Sequence, residues 1–197
     1  MHARPWTAAL AAALLLLAGC ADDKDDSSAP EPSRTEHNAA DVAFATDMLP
    51  HHAQALSMVD LTLVRQLDPE VAALAEQIRD TQVPEAETMV DWLTTWGEPV
   101  PETSRDHVHA DSHDGAEPDG GDLPGMMSGE QLQSLEDASG AEFERRFLEM
   151  MIEHHEGAIE IAEAELDEGR HIPARDLAQD IVSAQQDEIE TMESLLG

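Results

Sequence analysis

Apolar residues recur at helical spacing in four stretches of the chain, grouped two and two. In the first stretch Phe44, Met48, His51, Ala55 and Met58 lie on one arc, with Leu49, His52, Leu56, Val59 and Leu63 beside it. Asp68-Pro69-Glu70 then offers an N-cap, a proline at the first helical position and a first-turn acid. This predicts a second helix from there to about Trp96, stopped by Gly97, with Pro99 beyond. Farther on, Ser139-Gly140-Ala141-Glu142 fits a capping box, Gly169 ends the helix it opens, and Pro173 opens the last one. Ser128-Gly129-Glu130-Gln131 is placed to cap a short extra helix through Leu135. Pro50 falls inside the first helix, where it frees the carbonyl of Thr46 and is expected to bend the backbone.

The two groups are copies. Residues 41–94 align with 144–197 without a gap, at an offset of 103, and 15 of the 54 pairs are identical. The identities include Phe44/Phe147, Met48/Met151, His51/His154, His52/His155, Ile78/Ile181, Gln82/Gln185, Glu85/Glu188 and Met89/Met192. Each copy reads as two helices joined by a tight turn, hence antiparallel, and neither hairpin is large enough to bury its own apolar face. The expected fold is all-α, a four-helix bundle made of two duplicated antiparallel hairpins, 38–97 and 128–197. Between them, residues 98–127 are rich in Pro, Gly, Asp and His without periodicity and read as a linker.

Ahead of the bundle, Arg4 is followed by an apolar run from Trp6 to Ala18, too short to span a bilayer and suited to the h-region of an export signal. It ends in Leu17-Ala18-Gly19-Cys20, which resembles the lipobox of bacterial lipoproteins. In that family the cysteine is lipidated and becomes the new N-terminus. Residues 1–19 are thus expected to be a lipoprotein signal peptide and Cys20 a lipid anchor on the cell membrane, with 20–37 a disordered tether. The working domain then lies outside the cytoplasm.

A tight turn also sets which residues face one another across each hairpin. With the first turn centred near residue 68, His51 and His52 come level with Glu85, and Met48 with Met89. With the second centred near 171, His154 comes opposite Glu188, and Met151 opposite Met192. Gln82 and Glu85 interrupt the apolar stripe of Ile78, Met89 and Leu93, and Gln185 and Glu188 interrupt its copy at the same place. A buried carboxylate needs a partner or a cation. Consecutive histidines diverge by about 100° on a helix, so one of each pair can ligate while the other orients it or faces the second repeat. The motif is Met-x-x-His-His, with a thioether where di-iron bundles carry the glutamate of Glu-x-x-His. Thioether with imidazole suits Cu(I), and imidazole with carboxylate accepts Cu(II). Blander readings hold for other residues. Met58 reads as core filler, His107, His109 and His113 as solvated linker, and Glu156, Glu160, Glu163 and Glu165 as a solvated helix face.

Composition narrows the function further. Asp and Glu number 43 against 10 Lys and Arg, a formal charge of −33, which repels nucleic acids and other polyanions. One cysteine excludes a disulfide framework and a zinc site built on several thiolates. The inventory that stands out is 10 His and 9 Met. No catalytic constellation is legible. The expected partners are copper ions and, through the lipid, the membrane, with a homo-oligomer or an envelope copper-handling partner left open. Two rivals stand beside this reading. One is a ferritin-like di-metal oxidoreductase, against which the lack of Glu-x-x-His and of any Tyr counts. The other is a metal-free envelope interaction module whose His pairs serve packing.

The segments FATDMLPHHAQALSM, GMMSGEQLQSLEDASGAEFERRFLEMMIEHHEGAIEIA and IVSAQQDEIETMESLL resemble the bacterial family catalogued as domain of unknown function 305, over about 40–197. The resemblance implies a ferritin-like bundle, exported or lipid-anchored, with copper binding and copper tolerance among its members. Matched by motif, the ligand candidates it implies are Met48, His51, His52, Met150, Met151, His154 and His155. Ile161 stands where the family often carries Met, which removes one thioether from the second copy.

Overall fold

A computed structural model describes residues 31–103 and 123–197. The leader, Cys20, and His107, His109 and His113 lie outside the described residues. The helices are α1 (Ala39–Asp60), α2 (Pro69–Trp96), α3 (Gly129–Asp137), α4 (Ala141–Glu168) and α5 (Ile172–Leu196), with a 3-10 turn at Leu61–Val64. Among the described residues no helix is long and apolar enough to cross a membrane.

Most boundaries follow from the capping chemistry. Asp68 accepts from the Glu70 amide at 2.8 Å with Pro69 behind it, and α2 ends on Gly97, whose φ of +78° is costly for any other residue. Ser128 and Gln131 form the expected capping box of α3. Asn38 and Asp41 form one for α1 that the apolar pattern did not reveal. The expectation at α4 is corrected. Gly140 itself is the N-cap, at φ +55°, and has no side chain to accept from the helix. The N-terminal end of α4 is instead complemented by Glu142 and Glu144.

α1 packs on α2, α4 packs on α5, and the two hairpins meet through α1 on α4. The core falls into two apolar clusters, one at each end of the bundle. At the end formed by the 61–68 connection, Met58, Val59, Leu74 and Ile78 pack with Phe143, Phe147, Met151 and Met192. At the end formed by the 169–171 connection, Phe44, Met48, Met89 and Leu93 pack with Ala158, Ile161, Ala178 and Ile181. The start of α1 thus meets the end of α4, so these two helices are antiparallel. Phe143 and Phe147 are wholly buried, each contributing roughly 2–3 kcal/mol. Arg65 covers the first of them, its guanidinium 4.3 Å from the Phe143 ring centre, while donating to the carbonyls of Leu61 and Glu136.

The far end is held by a buried acid. Asp41 accepts from the backbone amides of Asn38, Arg170 and His171 at 2.6, 3.0 and 2.7 Å, tying the start of α1 to the α4–α5 connection. Ser33 pairs with the same connection through the Arg170 carbonyl and the Ile172 amide, and Glu36 pairs with the Arg170 side chain. The chain is therefore docked from Ser33 onward, inside the stretch expected to be tether. Beside Asp41 lies Glu165, 1% exposed. It does not belong to the solvated face of α4, unlike Glu156, Glu160 and Glu163, which are exposed. Burial first, then the proximity of Asp41, pushes its pKa up to about 9, so the carboxyl is neutral at pH 7.

Candidate metal centre

Between the two apolar clusters runs one layer of polar side chains, drawn from all four long helices. α1 supplies His51 and His52, α2 supplies Gln82 and Glu85, α4 supplies His154 and His155, and α5 supplies Gln185 and Glu188. All are buried except Glu85, which is partly exposed. His52 Nε2 lies 2.7 Å from Glu85 Oε2, and His155 Nε2 lies 2.8 Å from Glu188 Oε2. The same sequence separation of 33 joins each pair, so the repeat is also a structural one. Gln77 adds a second hydrogen bond to Glu188, from Nε2 to Oε1 at 3.1 Å. His51 Nε2 donates to the carbonyl of Pro124 at 3.0 Å.

These contacts orient the imidazoles. A carbonyl only accepts, so Nε2 of His51 carries the proton and its Nδ1 the lone pair, and in the two imidazole–carboxylate pairs Nε2 is likewise the nitrogen turned to the acid, leaving Nδ1 free. None of those three Nδ1 atoms has a hydrogen-bond partner, and His154 has none at either nitrogen. The rings of His51 and His154 meet across the interface between the repeats, their centres 3.8 Å apart and their planes tilted by 46°. His155 lies farther from His154, at 6.5 Å between centres. Burial, then the charge of His52, pushes the His51 pKa down to about 3, against which the Pro124 bond works. Burial, followed by His51, His155 and His52, holds His154 well below its ordinary value. Both are neutral at pH 7.

The expected pairings are corrected in one respect. His155, not His154, faces Glu188, and His154 turns to the other repeat. The divergence of adjacent helical side chains accounts for this, because in each copy the first His lies on the α1–α4 face and the second on its own hairpin's face. The methionines flank the histidine layer. Met48 and Met89 belong to the cluster on one side of the layer, Met151 and Met192 to the cluster on the other. Met48 precedes His51 by three residues, which sets it off by about 4.5 Å along the helix. Met58 and Met127 are buried on the Met151 side as well, and Met150 packs there partly buried. Thioethers are therefore more numerous toward the 61–68 end.

The donor set fits a cation that takes imidazole nitrogens. Unpartnered polar atoms in a dry interior are costly, and here five imidazole nitrogens stand unpartnered in one layer. Glu85 and Glu188 behind His52 and His155 reproduce the carboxylate–histidine arrangement that orients ligating imidazoles. As the side chains stand, no group of three or more His, Cys, Asp or Glu among the described residues is set to hold an ion. Sequence reasoning missed Pro124 and Gln77, which approach from the linker and from a polar helix face. Neither position carries a signal in the periodicity.

Residues 41–196 match the family model described as domain of unknown function 305. The chain belongs to this family. A crystal structure of a fragment from Deinococcus radiodurans in the same family is 32% identical over 81% of this chain and 97% of that one, with a TM-score of 0.68. A Streptomyces coelicolor member described as a secreted protein is 30% identical over 80% and 90%, with a TM-score of 0.67. CopM in its Cu(II)-bound form is 28% identical over 79% and 95%, with a TM-score of 0.63. CopM has also been solved with Cu(I) and with silver. No curated protein matches the chain. The domain-of-unknown-function-305 fold is the all-helical bundle described above.

Proposed function

We propose that this domain-of-unknown-function-305 protein binds copper as cargo outside the cytoplasm, buffering it or passing it on. The observation that carries the reading is the contact of His51 with His154 inside a layer of unpartnered imidazole nitrogens. Neutral imidazoles present lone pairs without a competing proton, and the buried methionines on either side offer thioethers to the softer Cu(I). Met48, His51, His52, Met89, Met151, His154, His155 and Met192 are the proposed ligands, with Met150 at the edge. Glu85 and Glu188 orient the imidazoles of His52 and His155, and the first of them, being partly exposed, is also available to Cu(II). The copper- and silver-bound forms of CopM support the choice of metal.

Cys20 is proposed to carry a lipid that holds the domain at the cell membrane. The secreted description of the Streptomyces coelicolor relative supports an extracytoplasmic place. Cys20→Ser should release the protein from the membrane fraction.

Anaerobic Cu(I) titration against a chromogenic chelator tests the site. Sub-micromolar binding is expected for the intact protein, and its loss in the His51/His52/His154/His155 quadruple alanine variant. Binding that survives in that variant would sink the assignment.

A further inference from the structure

The segment Leu123–Met127 crosses α1 and α4 directly over the histidine layer. Three contacts hold it there. Gln54 on α1 grips Met127 at both backbone groups, donating from Nε2 to its carbonyl at 2.9 Å and accepting from its amide at 2.7 Å. His51 Nε2 donates to the Pro124 carbonyl at 3.0 Å. On α4, a Cβ at Gly157 would collide with the Pro124 carbonyl, and one at Gly125 with the Gly157 backbone, so the segment lies flush on the helix only because both positions are glycine. Gly125 adopts φ +71°, which a larger residue resists.

Pro124 has a second neighbour. It and Leu123 roof a cleft of about 250 Å³ between α1 and α4, whose walls include Phe44, Asp47, Ile161 and Glu165. Asp47 stands one turn before His51. On the α4 wall of the cleft stand the exposed Glu160 and Glu168, whereas Glu165, buried beside Asp41, is neutral at pH 7 and adds no charge. Pro124 thus touches both an acid-lined cleft open to solvent and His51 of the buried His51–His154 contact.

We propose that this cleft is the entry for a soft monovalent cation and that Leu123–Met127 is the strap that must lift off Gln54 and Gly157 to admit it. Gln54 and Gly157 are then positioning residues that set the rate of exchange between solvent and the histidine layer. The identity of the cargo rests on the proposed function, but the gating does not.

Gln54→Ala removes two hydrogen bonds, and strap opening should become about fivefold more frequent for each. Gly157→Ala unseats the strap sterically. With Ag(I) as probe, stopped-flow uptake should accelerate at least tenfold in Gln54→Ala, with the equilibrium constant changed less than threefold. In the metal-free protein, carbethoxylation of His51 and His154 by diethyl pyrocarbonate should accelerate by the same factor. His171, 6% exposed at the far end of the bundle, should react at its wild-type rate. Unchanged modification of His51 and His154, or equal acceleration at His171, overturns the gate, the latter because it marks global opening. Failure of the wild type to bind Ag(I) overturns the metal reading alone, and the modification rates still decide the gate. Should Gly157→Ala not fold, Gln54→Ala carries the test.

Discussion

Replacing His51 and His154 together by leucine should stabilise the metal-free protein while abolishing copper binding. The two side chains bury three nitrogens without a partner, Nδ1 of His51 and both of His154. Each such atom costs about 1–3 kcal/mol. Leucine has a similar volume and no polar atom. At the low end the gain is about 3 kcal/mol, opposed by loss of the His51–Pro124 hydrogen bond, about 1 kcal/mol. The net gain of about 2 kcal/mol corresponds to about 4–8 °C in Tm for a domain of this size. The dependence on pH gives a second and sharper readout. Both histidines are neutral in the folded state, and His51 has been pushed down to about 3, whereas the unfolded chain takes up protons below the ordinary value of 6.5. The stability they contribute is therefore complete above pH 6.5 and is lost as the pH falls from there toward 3. The slope is about 1.4 kcal/mol per pH unit for each histidine. From pH 6.5 to 5 the wild type should lose about 3 kcal/mol that the double variant retains. Urea unfolding of chelator-treated protein, followed by far-ultraviolet circular dichroism at pH 7 and 5, measures both effects. A variant at least 1 kcal/mol less stable than wild type at pH 7, or one with the wild-type acid decline, would refute the view that these nitrogens are held unsatisfied for a ligand.

Three further outcomes follow from other parts of the structure. Glu85→Gln and Glu188→Gln should each lower copper affinity by about 10- to 100-fold without unfolding the bundle, since each carboxylate orients one imidazole; competitive titration with a chelator reads this. Glu165 is held protonated, its pKa raised from 4.5 to about 9, so its contribution is complete below pH 4.5 and is lost as the pH rises toward 9. Glu165→Gln should remove that decline, about 1.4 kcal/mol per pH unit, and melting curves at pH 6 and 8.5 should show the variant gaining on wild type. Asp41→Ala strips acceptors from three backbone amides and should cost about 3 kcal/mol, measurable by calorimetry.

Much of this architecture was legible in advance because duplication prints each constraint twice. Glu85 and Glu188 interrupt apolar stripes at the same place, and each proves to be the partner of a histidine. Periodicity located the helices, and the Asp68-Pro69 and Ser128 signals placed two starts correctly. What periodicity does not carry is azimuth at the level of a single residue. Choosing between His154 and His155 as the partner of Glu188 needed the interhelical geometry, since two adjacent side chains share an apolar arc. Burial of Glu165 was equally hidden. Its neighbours Glu163 and Glu168 are exposed, while Asp41, returning from 124 positions upstream, and the Gly169 backbone enclose it. The closure over His51 depends on a backbone carbonyl, that of Pro124, which no side-chain pattern announces.

The ring contact between His51 and His154 lies on the pseudo-twofold axis that relates the hairpins, since the two positions are copies of one another. A single ancestral hairpin pairing with itself would have made the same contact with two identical histidines, and the site would have existed as a homodimer before the gene was duplicated. Fusion freed the halves to diverge. Met58 now has Ile161 as its counterpart, Glu85 reaches solvent while Glu188 does not, and among the described residues the strap lies on one side of the dyad. A symmetric pair of half-sites has thereby become a site with a front and a back.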